Sequence, residues 1–248
     1  MKIAQTLMCV AALLLSACGR SGANDGGAPP LQASHAPTPA NAAEAAKQAA
    51  ADALPKADVA TPDSEYRAIT GPEQILAYIH GLSPLAIDYG KIAEKLSQEY
   101  RSTGDGFKKQ DIAKALAPRI DRMLADAKAH RYFVFKVRPE LEAYQFGSHS
   151  FHTQLSNDAT WRQWNNHDSE QLVFTNGDQF QQLKAPDEAA ARQVEMLRSK
   201  NQWGAQAMEI YAYAQEPDLS SGALKAQIIK VKLIDPQGNT LLKQAANS

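Results

Sequence analysis

The sequence predicts an α+β fold, with N-terminal helices followed by an antiparallel β-sheet of about five or six strands and preceded by a disordered tether. Three observations carry this. Apolar residues recur at helical spacing between Thr70 and Lys128, and the period changes to two from Phe133 and again between Met208 and Leu233. Residues 19–62 are dominated by Ala, Gly, Pro, Ser and Asn, with Leu31, Leu54 and Val59 their only larger aliphatics, a composition that cannot bury enough apolar surface to offset the entropy of ordering. Helices grouped ahead of hairpins favour segregated layers over a doubly wound sheet. The chain therefore divides into residues 1–17, a tether over 18–62 and one folded domain over 63–248.

Within the tether, Asn41 followed by Glu44 reads as a capping box that opens an Ala-rich helix ending before Pro55. The domain begins with Thr70-Gly71-Pro72-Glu73 as a helix start, and Ile75, Leu76, Ile79 and Leu82 form its apolar stripe up to a stop at Gly81. His80 beside that stripe reads as an ordinary helix-end residue. Ser83-Pro84 is expected to open a second helix with Leu85, Tyr89, Ile92, Leu96 and Tyr100 on one face. A third helix runs from about Phe107 to Lys128, its apolar side formed by Phe107, Ile112, Leu116, Ile120, Met123, Leu124 and Ala127, with Pro118 expected to kink or divide it. Its lysines and arginines are interleaved with Asp111, Asp121 and Asp126, the pattern of a solvated mixed-charge face.

Phe133, Phe135 and Val137 then set a strand, and a second candidate strand passes through Tyr144 and Phe146. Gln171 to Thr175 is strand-like, and Asn176-Gly177 after it is a strong hairpin signal. Pro186 opens a helix lined by Ala190, Val194 and Leu197. Met208 to Gln215 alternates. In the strand after it, Leu224, Ala226 and Ile228 keep one phase and Ile229, Val231 and Leu233 the other, which predicts a bulge at Ile228-Ile229 or a strand covered on both sides. Asp235 to Asn239 has the chemistry of a turn into a last strand, Thr240 to Lys243.

Ahead of all this, Met1-Lys2, an apolar run from Ile3 to Leu14, and Leu15-Ser16-Ala17-Cys18 resemble the signal and lipobox of bacterial lipoproteins. The resemblance covers residues 1–19 and implies cleavage before Cys18, lipid on its sulfur and acylation of the new amino terminus. Gly19, where Asp would signal inner-membrane retention, implies sorting to the outer membrane, on its periplasmic side. Two or three acyl chains at about 0.8 kcal/mol per buried CH₂ hold far more firmly than one. Cys9 leaves with the signal, so the mature chain carries no free thiol and no disulfide. A second resemblance spans roughly residues 64–245. Ile87-Asp88-Tyr89, Leu96-Ser97-Gln98-Glu99-Tyr100, then Asp105, Phe107, Asp111 and Pro118 resemble the DUF4852 family of bacterial domains. That family has no assigned activity, so the resemblance implies a domain boundary and no active site.

The formal net charge of −1 over 248 residues gives no field to steer a polyanion, so no nucleic-acid partner is expected. Gly-x-Ser-x-Gly, His-Glu-x-x-His, Ser-x-x-Lys, P-loop and dinucleotide patterns are all missing. The densest polar stretch is His149 to Asp168. His149 and His152 with His167 or Asp168 are acceptable metal-ligand types, but the pair converges only if Ser150 and Phe151 form a turn. A solvated loop is the better account. Trp161 and Trp164 with Asn165, Asn166 and His167 would suit a stacking platform for a glycan, set against the commoner case of Trp packing onto its own domain. Tyr211 and Tyr213 invite the same question if their sheet face is uncovered. The expectation is a lipid-anchored envelope module that binds or scaffolds a protein or peptidoglycan partner without a cofactor. The alternatives are a hydrolase or metal enzyme built on residues 149–168, and a glycan-binding module.

Overall fold

The computed structural model describes residues 49–50, 52–157, 159–164, 169–200 and 206–247. The chain divides into two units, Met1–Ala43 and Glu44–Ser248, and the description concerns the second. The expected signal, Cys18 and the expected tether up to residue 48 lie outside the described residues. Of the expected Ala-rich helix, Ala49–Ala50 and Asp52–Ala53 are helical.

The unit is α+β. Strand β1 (Arg67–Ala68) leads into helix α1 (Pro72–Gly81), then α2 (Tyr89–Leu96), α3 (Gln98–Ser102) and the long α4 (Gly106–Ala129). Strands β2 (Tyr132–Val137), β3 (Ser150–His152), β4 (Thr160–Trp164), β5 (Ser169–Phe174) and β6 (Gln182–Lys184) follow. Helix α5 (Glu188–Ser199) precedes β7 (Ala207–Pro217), β8 (Leu224–Ile234) and β9 (Thr240–Ala245). Seven strands form the main sheet in the order β1-β2-β7-β8-β5-β4, with β9 also on β8, and β3-β6 is a separate pair. The sheet is mixed: most pairs are antiparallel, but β1–β2 and β5–β8 are parallel. The far edge of β8 is shared, β5 pairing Leu224–Ala226 and β9 pairing Lys230–Ile234.

Register explains the core. Phe133 faces Ala212, Phe135 faces Ile210, and Ile210 faces Val231, so all point to one sheet face, where Ile75, Tyr78 and Ala127 from α1 and α4 cover them. Full burial of each large apolar side chain contributes about 1.5–3 kcal/mol. The bulge expected in β8 is present: Tyr211 pairs Lys230 and Ala212 pairs Ile228, which leaves Ile229 unpaired and buried on the second face.

Several local expectations fail for identifiable reasons. Ser83-Pro84 opens no helix. Asp88 is the cap, its Oδ1 accepting from Lys91 N–H at 3.0 Å, and Leu85 is left 63% exposed. Ser97 ends α2 and caps α3, since its own hydroxyl accepts from Tyr100 N–H. Pro118 does not divide α4, and Phe107 is solvent-facing at 82% because only the Ile120, Leu124 and Ala127 side is buried. Tyr144 and Phe146 are in a loop, held by the Gln145–Ser150 bridge and by Tyr144 N–H donating to Glu195 Oε2 at 3.2 Å.

Asn176-Gly177 is not a hairpin turn. Asn176 Nδ2 donates to Ile228 O (2.8 Å) and its Oδ1 accepts from Ile228 N–H (2.7 Å), so the side-chain amide continues the β5–β8 ladder. Gly177 is needed for close approach, since a Cβ there would meet Ser156 O at 2.4 Å.

The end of the stretch assigned by composition to the tether lies on the second sheet face. Leu54 is buried, Pro55 O accepts from Gln215 Nε2 (2.9 Å), Ala57 N–H donates to Gln227 Oε1 (3.1 Å) and Asp58 N–H to Tyr132 Oη (2.9 Å). Ordering here comes from backbone groups finding partners, a source of structure that composition does not report.

Candidate functional site

An open groove of about 660 Å³ lies between β1, α1 and α4. Pro72 has no N–H to extend β1, and with Gly71 it turns the chain onto α1. Ile69 N–H donates to Val134 O, and alternate residues of a parallel strand bond to opposite sides. Ala68 O therefore faces away from β2, where Gln74 Nε2 donates to it at 3.3 Å. Gln74 Oε1 accepts from the Gly71 and Thr70 N–H groups at 2.9 and 3.2 Å, which closes the helix start. At the other end of α1, Gly81 lies against α4 so closely that a Cβ would stand 2.8 Å from Leu124 O.

Two ion pairs cross this groove. Arg67 from β1 reaches Asp126 on α4, and Arg119 Nη2 on α4 reaches Glu73 Oε2 on α1 at 3.4 Å. Asp126 Oδ1 also stands 3.1 Å from His130 Nδ1. All four charged side chains of the two cross-groove pairs are about half exposed, so each pair contributes about 0–1 kcal/mol and either arginine can exchange its carboxylate for a ligand's at little cost. Ile69, Ala77, Met123 and Tyr78 supply the apolar floor. Tyr78 Oη donates to His130 O at 2.8 Å, and burial pushes its phenol up to about 12. Among the described residues, His130 Nδ1 is placed against Asp126 on the same helix face.

The second sheet face carries another cluster. Tyr66, Tyr211 and Ile229 are buried there with Tyr132, Val134 and Tyr213 beside them. Asp63 bridges Lys230 and Lys232. Lys230 Nζ lies 4.8 Å from the ring centres of both Tyr66 and Tyr211, and Lys232 Nζ 4.7 Å from that of Tyr211. The two lysines hold the Asp63 carboxyl down to about 2. Desolvation pushes the Tyr66 and Tyr211 phenols up. Tyr211 and Tyr213 thus face a strap formed by the chain itself, and this face is no open platform.

Of the residues singled out in the sequence, the described ones, His149, His152 and Trp161, do not line the groove. Ser150 and Phe151 are strand residues, so the turn that would bring His149 and His152 together is not formed. His149 precedes the strand at a φ of 53°, its Nδ1 3.3 Å from Tyr144 Oη. No group of three or more metal-ligand side chains occurs among the described residues. Trp161 is on β4 and packs on the core, its ring 6.1 Å from that of Phe174, with Nε1 buried and unpartnered. Residues 160–164 form a strand. The Trp164 side chain, Asn165, Asn166, His167 and Asp168 lie outside the described residues.

The groove escaped the sequence because its charges looked like a solvated face. Arg119 and Asp126 are seven apart, two helical turns on one side of α4, which is the signal that placed them together. No family model, no curated protein and no solved structure matches the chain.

Proposed function

We propose that the chain is a lipid-anchored envelope protein, held through Cys18, whose folded unit binds an anionic ligand with an apolar body in the groove between β1, α1 and α4. The observation that carries this is a pair of half-exposed arginines, Arg67 and Arg119, set over an apolar floor and neutralised only by weak exposed pairs. Acidic peptides and peptidoglycan stem peptides, which carry free carboxylates, have this chemistry. The lipobox and the tether support a role in tethering such a partner to the membrane.

Isothermal titration with a panel of acidic, basic and stem peptides tests the groove. A carboxylate ligand should bind, and Arg67→Ala and Arg119→Ala should each weaken it by about tenfold or more, the scale of one charge-assisted hydrogen bond. Binding that ignores both changes overturns the groove reading. Crosslinking from intact envelopes, comparing the native chain with Cys18→Ala, tests the tethering: a defined stem-peptide or protein product should require the lipid.

A further inference from the structure

We infer that the end of the folded unit formed by the β7–β8 turn and the α1–α2 loop rests on the lipid surface. This rests on the proposed lipid anchor at Cys18. The tether by itself cannot orient the domain. Thirty-five residues separate Cys18 from Leu54, a length for which a chain of flexible-coil composition would span about 30–35 Å. Orientation must come from the domain's own surface.

The place where the strap begins and the surface around it point to the same end of the domain. Pro55 O is bonded to Gln215 Nε2, and Gln215 lies just before the end of β7 at Pro217, so the N-terminal end of the strap lies beside the β7–β8 turn. At that same end the α1–α2 loop abuts the turn, and Leu82, Pro84, Pro217 and Leu219 line one shallow hollow of about 390 Å³. Leu219 is 59% exposed and Leu85, next to Pro84, is 63% exposed. Single exposed leucines are ordinary, but here two project from loops in contact. The nearby charges are already engaged. Glu216 pairs with Lys225 at 3.0 Å, and the Asp218 Oδ1 accepts from Ser220 N–H (2.9 Å) and Ser220 Oγ (2.6 Å). The Glu216 charge is thus balanced by Lys225, and the Asp218 carboxylate is bonded to its own turn and stays ionised, so this end presents an apolar tip beside one negative charge. The lipid brings the tip to the bilayer at high effective concentration, and shallow insertion of Leu85 and Leu219 then fixes which end faces it.

The mature chain has no other free thiol once Cys18 is lipidated, so Leu219→Cys gives a unique attachment point for an environment-sensitive dye. Gln237→Cys, in the turn at the opposite end of β8, is the control about 30–35 Å away. The lipidated full chain is reconstituted in vesicles of phosphatidylethanolamine and phosphatidylglycerol containing a lipid-borne nitroxide quencher. The dye at 219 should shift to the blue and be quenched severalfold more than the dye at 237, and adding Leu85→Glu should remove most of that difference. Equal quenching at both positions, with the lipid on Cys18 verified by mass, overturns the inference and leaves the anchor intact. A chain whose mass shows no lipid on Cys18 overturns the anchor and this inference together.

Discussion

Replacing Asp63 with Asn removes the one carboxylate shared by Lys230 and Lys232, and its cost can be worked from the structure. Lowering the Asp63 carboxyl from 3.8 to about 2 corresponds to about 2.4 kcal/mol of preferential stabilisation of the charged form at neutral pH. The Asp63 side chain is 49% exposed, so solvent screening reduces its own share to about 1 kcal/mol. The partners add to this, because the Lys230 and Lys232 side chains are only 10% and 16% exposed and would keep their charges facing tyrosine rings without a counter-ion. The expected loss is therefore about 2–3 kcal/mol, read in urea denaturation at pH 7 as a midpoint lower by about 1 M.

The pH dependence follows with a definite sign. A depressed carboxyl gives stability that is complete above its unfolded value of 3.8 and is lost as pH falls through about 2. The gap between native and Asp63→Asn proteins should close between about pH 4 and pH 2. Asp218, also held near 2 by the Ser220 hydroxyl and N–H, contributes the same slope to both proteins and cancels in the difference. Lys230→Met, which fills the aromatic box and leaves the Asp63–Lys232 pair, should cost less than Asp63→Asn. A loss under about 0.5 kcal/mol for Asp63→Asn, or a gap that persists at pH 2, would refute the clasp.

Three further outcomes are expected. Asn176→Ala leaves the N–H and C=O of the fully buried Ile228 without their side-chain partner and should cost about 2–4 kcal/mol, with faster hydrogen exchange at the Ile228 amide as the specific readout. Gly81→Ala forces a methyl to within 2.8 Å of Leu124 O, so α1 must lift from α4. Thermal unfolding should show a loss of about 1–3 kcal/mol, and any groove ligand should bind more weakly to this variant than its stability alone explains. Trp161→Phe removes a buried N–H that has no partner; its stability in urea should stay within about 1 kcal/mol of native, because the lost packing is offset by the orphaned donor removed.

The strongly periodic elements were legible because burial wrote them into the sequence. Ile75 and Leu76 in α1, Phe133 and Phe135 in β2, and the phase slip at Ile228-Ile229 each report a face against the core. Elements whose residues serve a contact distant in sequence were misread. Asn176-Gly177 has hairpin chemistry, yet its amide serves Ile228 on another strand and its missing side chain makes room for Ser156. Ser83-Pro84 has helix-start chemistry, but Asp88 makes the capping bond that is formed. In both places the local preference was real, and a partner distant in sequence or a competing cap decided the outcome.

The candidate site was the least legible part, for a related reason. A groove is defined by which walls face each other, and Arg67, Glu73, Arg119 and Asp126 come from three elements, two of which pack closely where Gly81 meets Leu124. The polar stretch 149–168 drew attention because its residues are close in sequence, while Arg67 and Asp126 are close only in the fold. The strap makes the same point from the other side. Residues 54–62 read as tether by composition, yet Pro55 O, Ala57 N–H and Asp58 N–H meet Gln215, Gln227 and Tyr132, and at the expected start of the domain Asp63 meets two nearly buried lysines. Because the strap and β1 are one continuous chain, with Tyr66 in the aromatic cluster and Arg67 in the groove, releasing Asp63 loosens the segment that positions Arg67. Stability of the clasp and affinity in the groove should therefore fall together in Asp63→Asn, although the carboxylate touches neither wall of the groove.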